Sequence, residues 1–284
     1  MKYLTMALLG SLLVGGAAPA VAQDPDVIKI GLVESLLRDL TPGKRKLLDT
    51  EFPDLVKDFT EFNSMVMPGV DPFTAGKKLA AGEWHLGVFQ GVEFAWAQSK
   101  DKKLAPLTVA VTKPKSLQAL LVAAKDGKIS GFEDLKDKEV HVLSGREHCR
   151  LYAEKAGGEK AGVKLLPTSN TEEALDNILR GKVQASIVDS AALESYEELQ
   201  PGRFKRLKVA MKSETFPSTV IAYYQGALSQ QLLNKFRDGM LMANQSDKGR
   251  EAMAGFRIAS FETVPADYQR QLDEILKAYP PPAK

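Results

Sequence analysis

The sequence predicts an α/β protein built as two similar lobes, and three observations carry that reading. The first is the stretch Leu79–Ala97, LAAGEWHLGVFQGVEFAWA. It parses as the end of a helix, a Gly stop at Gly82, a short apolar strand at Leu86–Phe89, a turn at Gln90-Gly91 and a new helix opening at Val92. The second is Ile178–Leu193, ILRGKVQASIVDSAAL, where Gly181, Gln184 and Asp189 fall as Gly82, His85 and Gln90 do in the first stretch. The third is the alternation of strand-like and helix-like runs along the rest of the chain. In open α/β sheets, ligands sit beyond the carboxyl ends of strands, where N–H groups at helix starts point at them. Each lobe is therefore expected to offer a strand-end loop to one shared cleft.

Taken in order, Met1–Ala22 reads as a secretory signal. Lys2 is the positive start, Leu4–Val14 the apolar core and Ala20-Val21-Ala22 a small-x-small cleavage site. VIKIGLV at Val27–Val33 alternates and is β-branched, so it is the first strand. Glu34–Leu40 is a loop or short helix at its carboxyl end. Pro53 is expected to break Lys44–Leu55 into a short helix, and Phe59–Val66 reads as the second strand. Asp71-Pro72 is an N-cap followed by Pro at the first helical position. Leu107–Val111, Leu117–Ala124 and Glu139–Leu143 are further strands, and Ser130–Lys136 a short capped helix. Ser144–Cys149 turns into a helix that ends at Gly157-Gly158. Asn170 and Glu173 mark a capping-box start. Strands at Ala185–Val188, Phe204–Met211 and Ser218–Tyr224 follow, with a helix from Ala191 to Leu199 and a turn at Pro201-Gly202. Leu232, Leu233, Phe236, Met240 and Ala243 place an amphipathic helix on Ser229–Ala243, and Ala266–Ala278 is the last helix.

Composition narrows the function. Charged residues make up 26% and hydrophobic residues 44%, an ordinary globular balance for a chain with room for two lobes. The formal charge is +2, and Lys2 leaves with the signal, so no basic footprint for nucleic acid is present. No second apolar run approaches membrane length, so no membrane insertion is expected. The only Cys is Cys149, which excludes an intramolecular disulfide.

The candidate site residues lie at strand ends. Gln90-Gly91-Val92 and Ser144-Gly145-Arg146-Glu147-His148 open helices, whose first N–H groups are orphan donors and whose dipoles favour an anion. Glu34 and Ser35 close the site from the first strand. Asp189 accepts a proton-bearing oxygen or an ammonium group, or caps the helix after it. Two other chemistries are open. His141, His148 and Cys149 lie close together in sequence and suit a soft metal, which would make this an exported metal-binding or redox-partner protein. Cys149 with a histidine base would make it a Cys-dependent enzyme. Neither is favoured, because His148 and Cys149 are adjacent on a helix and point about 100° apart.

The order of AAGEWHLGVFQGVEFAWA, ISGFEDLKDKEVHVLSG, GKVQASIVDS and SETFPSTVIAYY resembles type II periplasmic binding proteins, and among them the phosphate/phosphite/phosphonate-binding proteins of ABC importers. The resemblance covers nearly the whole mature chain. It implies two α/β lobes joined by two crossing strands, with a ligand cleft between them. Residues 23–112 and 225–284 would form one lobe and residues 113–224 the other, with Tyr223 near the second crossing. It also implies a periplasmic monomer that captures a small oxyanion for an ABC permease, with no cofactor and no chemistry of its own. The family's Ser-Thr-Ser-Gly oxyanion loop falls on Ser144–His148. One Ser survives there, and Arg146 is expected to replace the lost hydroxyls. Glu147 fits such a site only if it turns outward.

The mature protein is expected to begin at Gln23. Intact-mass measurement of the exported chain checks this, and a product retaining residues 1–22 contradicts it.

Overall fold

The structure, a computed structural model, describes residues 24–37, 42–113, 117–157, 161–255 and 258–282. The signal segment and Gly158 lie outside them. The chain builds two sheets. The first is ordered β11-β4-β10-β3-β1-β2 and the second β7-β6-β8-β5-β9. In the first sheet β1 (Val27–Val33) runs parallel to β2 (Asn63–Val70) and β3 (Leu86–Phe89). β10 (Thr219–Tyr224) runs antiparallel between β3 and β4 (Leu104–Val111), and β11 (Ser260–Glu262) closes the edge. The second sheet repeats this plan. β6 (Glu139–Leu143) is parallel to β7 (Lys164–Thr168) and β8 (Ala185–Asp189). β5 (Ala119–Ala124) is antiparallel between β8 and β9 (Leu207–Lys212).

Helices cover both faces of each sheet, as sheets with parallel strands require. α2 (Pro72–Ala80), α3 (Gly91–Lys100) and α10 (Tyr268–Ala278) bury Leu79, Phe94, Trp96, Leu272 and Ile275 on one face of the first sheet. α1 (Pro42–Thr60), α8 (Gln230–Ala243) and α9 (Asp247–Gly255) bury Val56, Phe236, Met240 and Met253 on the other. On the second sheet, α4 (Glu147–Gly157) packs Cys149 and Ala153 on one side. α5 (Thr171–Leu179) and α6 (Ser190–Leu199) pack Leu175, Ile178 and Leu193 on the other. α7 (Pro201–Phe204) leads into β9.

The predicted caps hold. Asp71 Oδ1 accepts from the amides of Phe73 and Thr74 at 2.9 and 3.1 Å. Asn170 Oδ1 accepts from Glu173 N at 3.0 Å, which makes a simple N-cap and not the full capping box the sequence suggests. Gly82 and Gly181 sit at φ of +70° and +69°, the left-handed conformation that ends the helix before each buried strand.

Several expectations are corrected. α1 runs through Pro53. The carbonyl that loses its bond there is that of Asp49, an exposed residue, while Leu48, Phe52, Leu55 and Val56 bury the opposite side. Phe59 and Thr60 therefore finish a helix, and the second strand starts at Asn63. β7, α7, α9 and β11 had no strong pattern in sequence. The second crossing also moves. β10 belongs to the first sheet, so the chain returns at residues 213–218 rather than at 224. The two connectors touch where Phe216 N donates to Leu117 O at 2.8 Å.

Asp71→Ala removes the acceptor for two helix-start amides. It is expected to lower stability by about 1 kcal/mol in urea denaturation. No measurable change would show that those amides are satisfied equally well without the side chain.

Candidate functional site

The repeated strand plan puts the site loops together. β1 and β3 are parallel in register, with Leu32 opposite Val88, so Ser35 and Gln90 emerge at the same sheet edge. Gln90 Nε2 donates to Ser35 Oγ at 2.9 Å, and Ser35 Oγ donates to Glu93 Oε2 at 2.6 Å. All three residues are buried. Glu93 was not singled out from sequence. Its signal was present: it is the one charged residue in the apolar run VEFAWA, in the first turn of α3, where the helix dipole favours a carboxylate. Gly91 is pressed against the second connector, so closely that a Cβ there would stand 2.2 Å from Pro217 O. Val92 turns its side chain into the core of the first lobe. Glu34 stays exposed.

In the second lobe β6 and β8 are parallel, with Val142 opposite Ile187, which brings Ser144 and Asp189 to one edge. Ser144 is spent internally. Its N–H and Oγ both donate to Thr168 O, at 2.7 and 3.0 Å. Arg146 Nε stands 2.8 Å from Asp189 Oδ2. Asp189 is 1% exposed, and its other oxygen caps α6 by accepting from Ala192 N. Of the two roles considered for Asp189, the helix cap is in place, and its second oxygen is taken by Arg146. The Arg146 side chain is 34% exposed, and its terminal guanidinium nitrogens have no partner among the described residues. Glu147 turns inward, where Arg150 holds it, and Arg150 also pairs with Glu154 at 2.6 Å. The bond to Glu147 raises the Arg150 pKa.

A cavity of about 280 Å³ lies mostly against the second lobe. Ser35 lines it from the first, and Ser144, Gly145, Arg146 and Glu147 from the second. A larger hollow, about 560 Å³, lies behind the second connector against α10 and holds none of the predicted residues. Of the predicted residues, Ser35, Ser144, Gly145 and Arg146 line the cavity, while Glu34, Gln90, Gly91, Val92, His148, Asp189 and Tyr223 do not. Tyr223 lies at the far end of the first sheet: β10 is antiparallel, so Val220 pairs with Phe89 near the cleft while Tyr223 pairs with Ala105. His148 does not line the cavity. Its ring rests on Phe216 at 5.5 Å between centroids. Burial holds its pKa down to about 4, the Asp189 charge opposing and Arg146 assisting. Burial, with Asp189, pushes the Cys149 thiol well up. Cys149 packs in the core of the second lobe and His141 lies half-buried on β6, so the structure does not bring the three together.

Asp189→Ala removes the α6 cap and the Arg146 partner, and a loss of about 1–2 kcal/mol is expected in urea denaturation. Asp189→Asn keeps a capping oxygen and should recover most of it. Equal losses would place the stabilisation in the ion pair instead.

Structures similar to this one include a Xanthomonas citri protein bound to chloride ion, at TM-score 0.62 and 12% identity over 90% of this chain and 98% of that one. A binding protein component of an ABC phosphonate transporter from Pseudomonas aeruginosa matches at TM-score 0.60 and 18% identity, covering 88% and 86%. A Prochlorococcus marinus protein in complex with methylphosphonate matches at TM-score 0.58 and 15% identity, covering 90% and 98%. At these identities the likeness is one of fold, the type II periplasmic binding protein fold. Comparison with curated proteins finds no significant sequence match. Residues 70–268, more than half of the chain, match the family described as ABC transporter, phosphonate, periplasmic substrate-binding protein, and the chain belongs to that family.

Proposed function

We propose that this protein captures a small phosphorus oxyanion, of the phosphate, phosphite or phosphonate type, in the cleft between its lobes and delivers it to an ABC permease. The observation that carries this reading is the partly exposed Arg146 side chain on the cavity that Ser35 reaches from the first lobe, beside the starts of α4 and α6. A guanidinium matches two oxygens of a phosphoryl group with its planar fork. The orphan amides of the helix starts supply further donors. Family membership and the ligands of the similar phosphonate-binding structures support the choice of anion.

On this reading the protein acts as an exported monomer in the periplasm. It performs no chemistry: Cys149 is buried and its thiolate disfavoured, which leaves it unsuited as a nucleophile. The second lobe contributes a charge where hydroxyls would otherwise stand, because Ser144 is engaged by Thr168. Asp189 beside the guanidinium favours ligand oxygens that carry a proton over a bare dianion.

A thermal-shift screen of phosphate, phosphite, methylphosphonate and sulfonates, followed by calorimetric titration, tests the assignment. At a hundredfold excess over its dissociation constant a true ligand stabilises by about 2.7 kcal/mol. Arg146→Ala removes a charge-assisted bond worth about 1.5–3 kcal/mol, so affinity should fall roughly tenfold to a hundredfold. Undiminished binding by Arg146→Ala, or no binding of any phosphorus oxyanion, overturns the proposal.

A further inference from the structure

His148 is 2% exposed, and neither of its ring nitrogens has a hydrogen-bond partner. A buried polar group left unpaired is costly, and native structures keep few of them. Its position explains what the cost depends on. The ring belongs to α4 of the second lobe and lies on Phe216 of the second connector. Phe216 is itself packed in the core of the first lobe, with Tyr279 tilted against it at 4.9 Å. The connector thus covers the imidazole on one side, while Arg146 and Asp189 of its own lobe stand near it. A rotation of the second lobe about the connectors, the hinge motion by which two-lobed binding proteins admit ligand, lifts α4 from Phe216 and lets water reach the ring.

We infer that His148 couples closure of the cleft to acidity: the closed form shuts in a neutral imidazole at the hinge, and protonation of that ring drives the lobes apart. The inference rests on the solute-binding reading above and adds its regulation. The groups that face the ring are accounted for. Asp189 approaches from the end of β8 and Arg146 from the loop before α4, and these two are paired with each other. Glu147 precedes it on α4 and is held by Arg150. Cys149 follows it and stays protonated. On the connector, Glu214 is engaged by Lys155 at 2.5 Å and by the Tyr279 hydroxyl at 2.6 Å. None of these pairs leaves a carboxylate free to hold a charged imidazole in the closed form.

The sign follows from linkage. In the closed form the ring protonates only near pH 4, whereas a solvated imidazole does so near about 6.5. The open form binds the extra proton between those values, so closure is full above about pH 6.5 and lost as the pH falls toward 4. At pH 5 this gap weakens ligand binding by up to about thirtyfold.

The test is calorimetric titration of the intact mature protein with methylphosphonate, or phosphate if that binds more tightly, at pH 7.5 and pH 5.0. Wild type, His148→Phe and His148→Leu are compared, with small-angle scattering of each liganded protein at both values. Using one ligand throughout cancels the ligand's own ionisation, and two apolar replacements guard against a variant that fails to fold. The expected result is comparable affinity of all three at pH 7.5. At pH 5.0 wild type should lose at least tenfold more than either variant, and its radius of gyration alone should rise. The same pH dependence in all three overturns the inference while leaving the solute-binding reading intact. Failure of wild type to bind any phosphorus oxyanion at pH 7.5 instead overturns the reading on which it rests.

Discussion

The fold depends on the chain passing twice between its sheets at one place. Leu117 and Phe216 pair where the two connectors cross, and each connector delivers a strand that lies antiparallel between two others in its sheet. β5 lies beside β8 as β10 lies beside β3. That shared constraint makes both sheets present the carboxyl ends of their parallel strands toward the crossing. The helices that follow those strands then start beside it. Gly91 against Pro217 and His148 against Phe216 are the two contacts through which the helix starts of the two lobes register on the same short connector.

The electrostatics of the cleft follow from what those helix starts carry. α3 holds Glu93 in its first turn, α4 holds Glu147 and α6 is capped by Asp189, all three buried. Each carboxylate answers the positive end of its own helix dipole. The dipoles are thus partly satisfied within the chain, and one side chain beside these helix starts keeps donors without a partner among the described residues. That side chain is Arg146.

Much of this was legible in the sequence because it is written locally. Asp71, Asn170, Gly82 and Gly181 act within their own turns, so their residue types announce helix boundaries directly. The match between the Gln90 and Asp189 segments also held, since both residues end a buried strand and begin a helix. Other features depended on distant partners. Pro53 broke a helix in the sequence reading but not in the fold, because burial of Leu48, Phe52, Leu55 and Val56 outweighs one lost bond. Tyr223 looked close to the cleft by sequence distance, yet the antiparallel direction of β10 carries it to the opposite end. Glu147 fits an anion site only if it turns outward, and its direction is set by Arg150, one helical turn on, which holds it inward. Ser144 has the residue type of an oxyanion donor, but its hydroxyl donates to the carbonyl of Thr168, a partner on another strand that the local sequence does not announce.

The placement of β10 also bears on how the chain assembles. The second sheet is continuous in sequence, from Ala119 to Lys212, while the first is interrupted. β10 takes its position between β3 and β4, two strands made more than a hundred residues earlier. A polypeptide crossing a membrane amino end first therefore completes its second lobe while the first still has a gap in the centre of its sheet. Long-range insertion of this kind is slow compared with local pairing, and open strand edges are prone to aggregation meanwhile. The last stage is the seating of Tyr279, whose carbonyl accepts from Trp96 Nε1 at 2.8 Å and whose ring covers Phe216. The crossing thus acquires its final packing only when nearly the whole polypeptide has emerged, and a chain stalled short of α10 holds a finished second lobe on an unfinished hinge.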